Sequence, residues 1–183
     1  MVAITNRSKA TTRSKAGFSL IELLVVVAII LIIAAIAIPS FLRSRMAANE
    51  ASAAENVRTV TTAAIVYNTS WGNGYPPNIG AMGGTAYPAT CDQAFLLAQT
   101  LTVAPNQTAG YTFAYKPQGA PVIAPAGCSA PGYNAYLVTA VPQVLGATGQ
   151  RSFCSNQPGV IHFDPTGGAI GSPAACDALQ TLQ

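Results

Sequence analysis

The apolar positions of this chain follow two patterns that change near residue 39. From Leu20 to Ile38 every residue is apolar except Glu22. As a helix these nineteen residues would measure about 28 Å at about 1.5 Å per residue, close to the thickness of a bilayer's hydrocarbon core. The run therefore predicts a membrane-spanning helix.

The second pattern begins after Pro39, where neither glycine nor proline occurs until Gly72. Apolar side chains recur there at helical spacing, and Glu50 is the polar residue that interrupts their stripe. The stripe comprises Met46, Ala53, Val57, Val60, Ala64 and Tyr67. Both patterns together predict one long helix, apolar on all sides in its first half and amphipathic in its second. The stripe should pack against a globular domain formed by the later residues, which we call the head.

The composition changes at Ser70 to a stretch rich in glycine, proline, asparagine and tyrosine, which predicts a long loop. Its aromatic residues Trp71, Tyr75 and Tyr87 would either form a contact surface for another molecule or cover the core of the domain that follows. The stretch Cys91–Leu101 predicts a short helix within this part of the chain.

Short alternating segments follow the loop and predict β-strands. The clearer segments are Tyr111–Lys116, Tyr133–Val141 and Val160–Asp164, and the weaker ones are Arg151–Ser155 and Ala169–Ile170. Asp164–Gly168, with the sequence DPTGG, predicts a tight turn. A long helix followed by several short strands indicates an α+β fold in which the helix packs on a small antiparallel sheet.

Charged residues are scarce and unevenly placed. They make up 8% of the chain, against roughly 25% in typical soluble domains. Four basic residues, Arg7, Lys9, Arg13 and Lys15, lie in the first seventeen residues, which contain no acid. Basic residues before an apolar run keep the N-terminus cytoplasmic, so the rest of the chain is expected to be exported. The other basic residues are too scattered to predict a nucleic-acid site.

The four cysteines, Cys91, Cys128, Cys154 and Cys176, all follow the apolar run. An even number in an exported part of the chain predicts two disulfides, for which three pairings are possible. We favour Cys91–Cys128 and Cys154–Cys176, because each closes a local loop. The spacing is unlike that of a zinc site.

Two ordinary interpretations of the apolar run compete. A secretory signal peptide could be cleaved at Ala35-Ile36-Ala37, but its apolar core is usually only about 7–15 residues long and has no acid just before it. A plain membrane anchor fits the length but leaves Glu22 unexplained, because ionised groups near a membrane core are costly.

A third interpretation rests on the sequence Gly17-Phe18-Ser19-Leu20-Ile21-Glu22 and the apolar helix behind it. This stretch resembles the processing signature of type IV prepilins and of the pseudopilins of type II secretion. The resemblance implies a pilin-like fold, cleavage between Gly17 and Phe18 by a prepilin peptidase, and N-methylation of Phe18. It also implies that Glu22 pairs with the new amino terminus of a neighbouring subunit during assembly.

Two positions further along the helix refine the resemblance. Many pilins have proline where this chain has Pro39, and a kink or local unwinding is expected there. Many also have glycine where this chain has Leu31, and leucine forms helix far better than glycine. The resemblance thus implies a kink at Pro39 but weaker unwinding between the two positions.

The expected organisation of the chain has five parts. These are a basic leader over residues 1–17 that is removed, a transmembrane and filament-core half-helix over 18–39, an amphipathic half-helix over 40–69, a helix-to-sheet loop over 70–110, and a β-sheet head over 111–183. Its C-terminal region, closed by Cys154–Cys176, resembles the disulfide-bounded region of pilins.

The function that follows is that of a structural subunit, a pilin polymerised into a type IV pilus through its N-terminal helix. A pseudopilin is the alternative, less favoured because of the long loop, the disulfide-rich head and the few acids. From other classes there remain a membrane-anchored binding domain that does not polymerise and a secreted enzyme.

The expected partners are copies of the chain and related pilins, the inner membrane, the prepilin peptidase and an assembly platform. The expected location is the bacterial inner membrane and then an extracellular or periplasmic filament. We predict no enzymatic activity and no cofactor. His162 is expected to lie exposed beside a turn. Asp164 and Asp177 are the only candidate calcium ligands, by analogy with some pseudopilins.

Overall fold

The computed structural model describes residues 17–85, 87–124 and 126–182, and the basic residues of the predicted leader lie outside these ranges. Helix α1 runs from Leu20 to Trp71 without interruption, which confirms the single long helix. Pro39 lies inside it, and residues 31–39 are all helical. The kink at Pro39 and the unwinding before it stay predictions for the assembled state.

The chain divides into two units, one ending at Ser40 and one beginning at Phe41. In the first unit, the large apolar side chains from Leu20 to Ile38 are 45–80% exposed. Within the described residues, α1 is one helix that is long and apolar enough to cross a membrane, judged by length and composition. The described residues therefore leave this apolar surface uncovered.

The second unit contains a six-stranded antiparallel sheet whose strands follow one another in chain order. The strands are β1 (Gln107–Thr108), β2 (Tyr111–Pro121), β3 (Tyr133–Pro142), β4 (Ser152–Asn156), β5 (Ile161–Asp164) and β6 (Gln180–Thr181). Two short helices, α2 (Gln99–Thr102) and α3 (Pro173–Asp177), and a 3-10 turn at Ile79–Met82 complete the unit. The predicted α+β fold is confirmed.

One face of the sheet packs against the stripe of α1. Ala53, Val57, Val60, Ala64 and Tyr67 are at most 1% exposed, as the helical spacing predicts. Along each strand, every second side chain faces α1, as the pleat of a sheet requires. These side chains include Tyr111, Phe113, Tyr136, Val138, Ala140, Phe153 and Ile161. Register keeps these residues on one face, because Ala140 lies opposite both Phe113 and Phe153.

The other face of the sheet is covered by the C-terminal residues. Leu137 and Cys154 pack there against Ile170 and Cys176, and Leu179 lies beside them. The disulfide Cys154–Cys176 links the middle of β4 to α3. All five residues of β4 are consequently buried, which an alternating pattern of exposure would not predict.

This cover makes the prediction of an exposed His162 wrong. The side chain is 8% exposed, and its Nδ1 lies 3.0 Å from the carbonyl oxygen of Leu179. On β5, His162 pairs with Thr181 of β6. The returning chain therefore encloses a histidine that its local sequence places on a solvent-facing side.

Two predicted elements differ from the structure. Of the helix predicted over Cys91–Leu101, only Gln99–Thr102 is helical. The preceding amides bond instead to a distant segment: those of Ala94 and Leu96 donate to the carbonyls of Ala81 and Met82. A positive φ of 55° at Phe95 also interrupts any helix.

The weak strand at Ala169–Ile170 is also absent. Residues 168–171 are irregular, and Gln180–Thr181 forms the final strand instead. Ile170 packs under the sheet rather than beside it. Its apolar character therefore reflects burial, which the sequence pattern could not distinguish from strand formation.

The Cys91–Cys128 disulfide holds the long segment after α1 against the head. Tyr67 on α1 donates a hydrogen bond of 2.7 Å to the carbonyl oxygen of Cys91. Asn73 is fully buried, and its side-chain amide lies 3.4 Å from the Tyr67 hydroxyl. This network fastens the disulfide to the end of α1.

Removing the Cys154–Cys176 disulfide tests the importance of the C-terminal cover. The bridge spans a sequence separation of 22 residues, for which chain-entropy arguments give about 3 kcal/mol of stabilisation. We expect the double substitution Cys154→Ala and Cys176→Ala to lower the free energy of unfolding by about that amount. Urea unfolding of the full chain in detergent measures it, and an unchanged midpoint would contradict the expectation.

Candidate functional site

The first functional position, Gly17, is exposed at the start of the described chain. A β-carbon built there would meet nothing within 4 Å, and its φ is outside the left-handed region. The structure therefore has room for a side chain at this position. Any need for glycine must come from a molecule that acts on the chain.

Phe18 lies two residues before Leu20, the first residue of α1, and Glu22 lies two residues after it. Phe18 is 84% exposed. The helix begins at Leu20, and the amide of Leu23 donates to the carbonyl oxygen of Ser19 at 3.2 Å. Glu22 is exposed in the first turn, where a negative charge interacts favourably with the helix dipole. Gly17, Phe18 and Glu22 are thus all accessible at one end of the apolar helix.

Glu22 has no cationic partner within the described part of the chain. The two ion pairs found there join Glu50 to Arg151 and Glu55 to Arg58. A carboxylate can remain unpaired near water or lipid headgroups. It becomes costly if the helix around it is buried against other helices, unless a cation accompanies it.

A second charged cluster, which the sequence alone did not reveal, joins α1 to the sheet. Glu50 is 7% exposed. Its Oε1 accepts hydrogen bonds from the amides of Gln150 and Arg151, at 2.7 and 3.2 Å. Its Oε2 lies 2.8 Å from Nε and 2.7 Å from a terminal nitrogen of Arg151. Every carboxylate oxygen therefore has donors.

The guanidinium of Arg151 also lies over two aromatic rings. Its central carbon is 5.7 Å from the centroid of Phe153 and 5.3 Å from that of Phe163, within the range of cation–π attraction. Tyr111 donates a hydrogen bond of 2.8 Å to the carbonyl oxygen of Arg151. The cluster thus fixes the start of β4 against α1.

The environment changes the titration of both buried acids in this cluster. Burial raises the pKa of Glu50, but the amide of Gln150 and the guanidinium of Arg151 outweigh it and leave that pKa below its ordinary value. Burial, together with the nearby Glu50 charge, raises the pKa of Tyr111 to about 12. Glu50 is therefore ionised and Tyr111 protonated at neutral pH.

The aromatic residues after α1 divide between the two expected roles. Trp71 and Tyr75 are partly buried against the core, and the Tyr75 ring lies 4.7 Å from that of Tyr136. Tyr87 is 92% exposed. Two of these residues therefore complete the head's core, and one remains available for contact with another molecule.

One oxygen of each candidate calcium ligand accepts hydrogen bonds from the protein. Asp164 accepts from the amide and hydroxyl of Thr166 at 2.8 and 2.7 Å, which lowers its pKa. Asp177 accepts from the side-chain amide of Asn156 at 2.7 Å. Across residues 17–85, 87–124 and 126–182, no three His, Cys, Asp or Glu side chains form a group that could hold a metal.

Glu50→Gln tests the charge of the buried cluster. Because the folded-state pKa is depressed, this carboxylate stabilises the fold above its unfolded pKa, near 4.5, and that stabilisation is lost as the pH falls through the folded-state value. At pH 7 we expect the substitution to lower the free energy of unfolding by about 2 kcal/mol, and by less at pH 3, which is below the unfolded-state pKa.

The exposed acid Glu55 is the matched control. Like Glu50 it lies on α1 and pairs with an arginine, but its partner is Arg58 of the same helix, and the side chains of Glu55 and Arg58 are both over half exposed. Glu55→Gln should change stability only slightly. Urea unfolding of the full chain at both pH values provides the comparison. Equal effects of the two substitutions at pH 7 would contradict the role assigned to Glu50.

Comparison with known proteins places the N-terminal residues in a recognised context. The chain matches no curated protein and no solved structure. Residues 12–38 match the family model described as the prokaryotic N-terminal methylation motif. This range includes Gly17, Phe18 and Glu22, and it indicates a structural rather than an enzymatic protein. The chain carries the signature of type IV pilins and pseudopilins.

Proposed function

We propose that this chain is the precursor of a type IV pilin that polymerises through α1 into a pilus. One observation carries the proposal: the methylation motif at residues 12–38 continues into a helix whose apolar surface no other part of the described chain covers. Membrane anchoring followed by a surface or periplasmic filament fits both features. Lipid covers the helix in the membrane, and other copies of the chain cover it in the filament.

Processing is the first step of this proposal. Prepilin peptidase cleaves between Gly17 and Phe18 and methylates the new amine. The exposure of both residues supports this step, because the peptide bond is reachable without unfolding α1. The cut precedes the apolar helix, so the mature chain keeps its membrane anchor.

Assembly is the second step. Cleavage produces a cation at Phe18, one helical turn before the carboxylate of Glu22. In a filament, the Phe18 amine of one subunit approaches Glu22 of its neighbour. Pairing offsets the desolvation of both charges as the helices pack, and it disfavours arrangements in which either charge is buried alone.

A pilus is favoured over a secretion pseudopilus by three features of the exported part. The segment between α1 and β2 is long, the head holds two disulfides, and Asp164 and Asp177 are engaged in hydrogen bonds to the protein.

The processing step predicts a defined mature terminus. N-terminal sequencing and mass measurement of the chain from membranes should give a start at methylated Phe18. Gly17→Val should block cleavage while leaving α1 and the head folded, because nothing packs within 4 Å of this position.

Gly171→Val provides the matched control, since Gly171 is also free of neighbours within 4 Å and has no positive φ. That variant should be processed normally. An intact Met1 or a start at Ile38 in the unsubstituted protein would refute the proposed processing.

The assembly step predicts a selective defect for Glu22→Ala. This variant should be cleaved and inserted normally but give at least roughly tenfold fewer filaments, as loss of only about 1.4 kcal/mol per contact changes an equilibrium tenfold. Glu22→Gln separates charge from hydrogen bonding and should show a similar defect if charge pairing dominates.

Lys116→Ala serves as the control, because it removes an exposed charge from β2 in the second unit. Quantitative electron microscopy and sedimentation of sheared filaments measure the yield. A normal yield from Glu22→Ala would exclude the proposed pairing.

A further inference from the structure

The loop between β3 and β4, residues 143–151, is tightly organised although it lies at the surface. The carbonyl oxygen of Val144 accepts hydrogen bonds from the amides of Ala147 and Thr148, at 3.1 and 2.9 Å. The Thr148 hydroxyl bonds both backbone groups of Val144 at 3.1 Å. The loop is therefore held in one conformation by its own bonds.

Helix α1 also anchors this loop. The side-chain amide of Asn49 donates to the carbonyl oxygen of Thr148 at 2.9 Å, and Glu50 accepts from the amides at the loop's end. Gly110 approaches the loop beside Asn49, because a β-carbon built there would lie 2.7 Å from Cβ of Thr148 and 3.3 Å from the amide nitrogen of Asn49. Such close support exceeds what an ordinary connection between two strands needs.

The supported loop presents two aliphatic side chains to the outside. Val144 and Leu145 are 55% and 57% exposed, and residues 143–150 include no charged side chain. Apolar groups held rigidly lose little conformational entropy on binding. The absence of lysine and arginine from residues 143–150 argues against docking of this part of the loop on an anionic lipid surface, which basic residues would favour.

The same unit contains a complementary depression further along α1. A groove of about 300 Å³ runs between α1 and Leu96, and its helix side is formed by residues 55–66. Thr59 and Thr62 turn their hydroxyls toward the carbonyl oxygens of Glu55 and Arg58, each at 2.9 Å. Their hydrogen-bonding capacity is thus used within the helix, which leaves methyl groups available to an apolar ligand.

Charge favours a second copy of this chain as the occupant of the groove. Residues 41–183 carry five basic and five acidic side chains, so two copies have no net repulsion, and surfaces near zero net charge tend to associate. Glu55 and Arg58 at the groove pair with each other at 3.1 Å. Val144 and Leu145 can therefore approach without facing an unpaired charge, and Arg151 at the end of their own loop is paired with Glu50.

The positions of loop and groove also suit a filament. A contact between two different surfaces of one chain is heterologous, and repeating it builds a ring or an open helical assembly rather than a two-fold dimer. Glu50, which holds the loop, precedes the middle of the groove by about ten residues, or roughly 15 Å along the helix. Parallel copies must therefore be staggered along α1.

From these observations we infer that Val144 and Leu145 of one copy insert into the groove between α1 and Leu96 of the next. The inference rests on the proposed polymerisation and specifies a contact between heads. The contact is separate from the pairing of Glu22 with Phe18, and it fixes how successive heads are placed along the filament.

Cysteine cross-linking in assembled filaments tests this contact. The native cysteines found in the described residues are all in disulfides, so thiols introduced by Leu145→Cys and Thr62→Cys can be joined selectively by a short bismaleimide. The double variant should give a ladder of covalent oligomers, because each subunit would be linked to two neighbours. Each single variant should remain monomeric.

The outcomes separate this inference from the proposed function. Filaments of the double variant that yield no ladder would overturn the inference and leave the proposed function standing. Dimers from Leu145→Cys alone would also overturn it, since they would indicate a symmetric contact. Failure of the unsubstituted chain to form filaments would overturn both.

A charge substitution provides a second test that does not depend on cross-linking geometry. Leu145→Asp should lower the yield of sheared filaments about tenfold, through loss of about 1.4 kcal/mol per contact. Ile123→Asp is the matched control, because Ile123 is an aliphatic residue in another loop and is 93% exposed. Equal yields from these two variants, both processed normally, would exclude the proposed contact.

Discussion

The rest of this molecule depends on one constraint: the first half of α1 exposes an apolar surface that the described residues leave uncovered. Fully burying one large aliphatic side chain contributes about 1.5–3 kcal/mol relative to leaving it in water. Repeated over fourteen large side chains between Leu20 and Ile38, this preference makes an aqueous environment untenable. Under the proposed function, lipid and then other helices surround the segment, and Glu22 at its start selects the compatible neighbours.

The second half of α1 meets the same physical requirement within the chain. A narrow stripe of small and β-branched residues packs onto one face of the sheet, where the large rings of Tyr111, Tyr136 and Phe153 fill the space. The C-terminal residues cover the opposite face through the Cys154–Cys176 link. Both faces of β4 are therefore buried, and the head has a hydrophobic cluster on each side of its small sheet.

The local patterns of the sequence predict much of this arrangement. An uninterrupted apolar run, followed by apolar residues three or four positions apart, predicts α1. Alternating apolar and polar residues predict β2, β3 and β5 close to their observed positions. The helix expected from Cys91 fails because its amides bond to the carbonyls of Ala81 and Met82, so a tertiary contact replaces the local bond. His162 becomes buried for a comparable reason, since β6 and Leu179 return over it.

The sequence by itself determined the long helix, its division into apolar and amphipathic halves, and the accessible motif around Gly17, Phe18 and Glu22. Those features depend on residues close together in the chain. Only the tertiary structure decided that Glu50 would bind Arg151, about a hundred residues away, that the C-terminal residues would cover the sheet, and that the loop bearing Val144 and Leu145 would be held rigidly. Such contacts join distant residues, and their partners follow from the register of the sheet against α1 rather than from any local pattern.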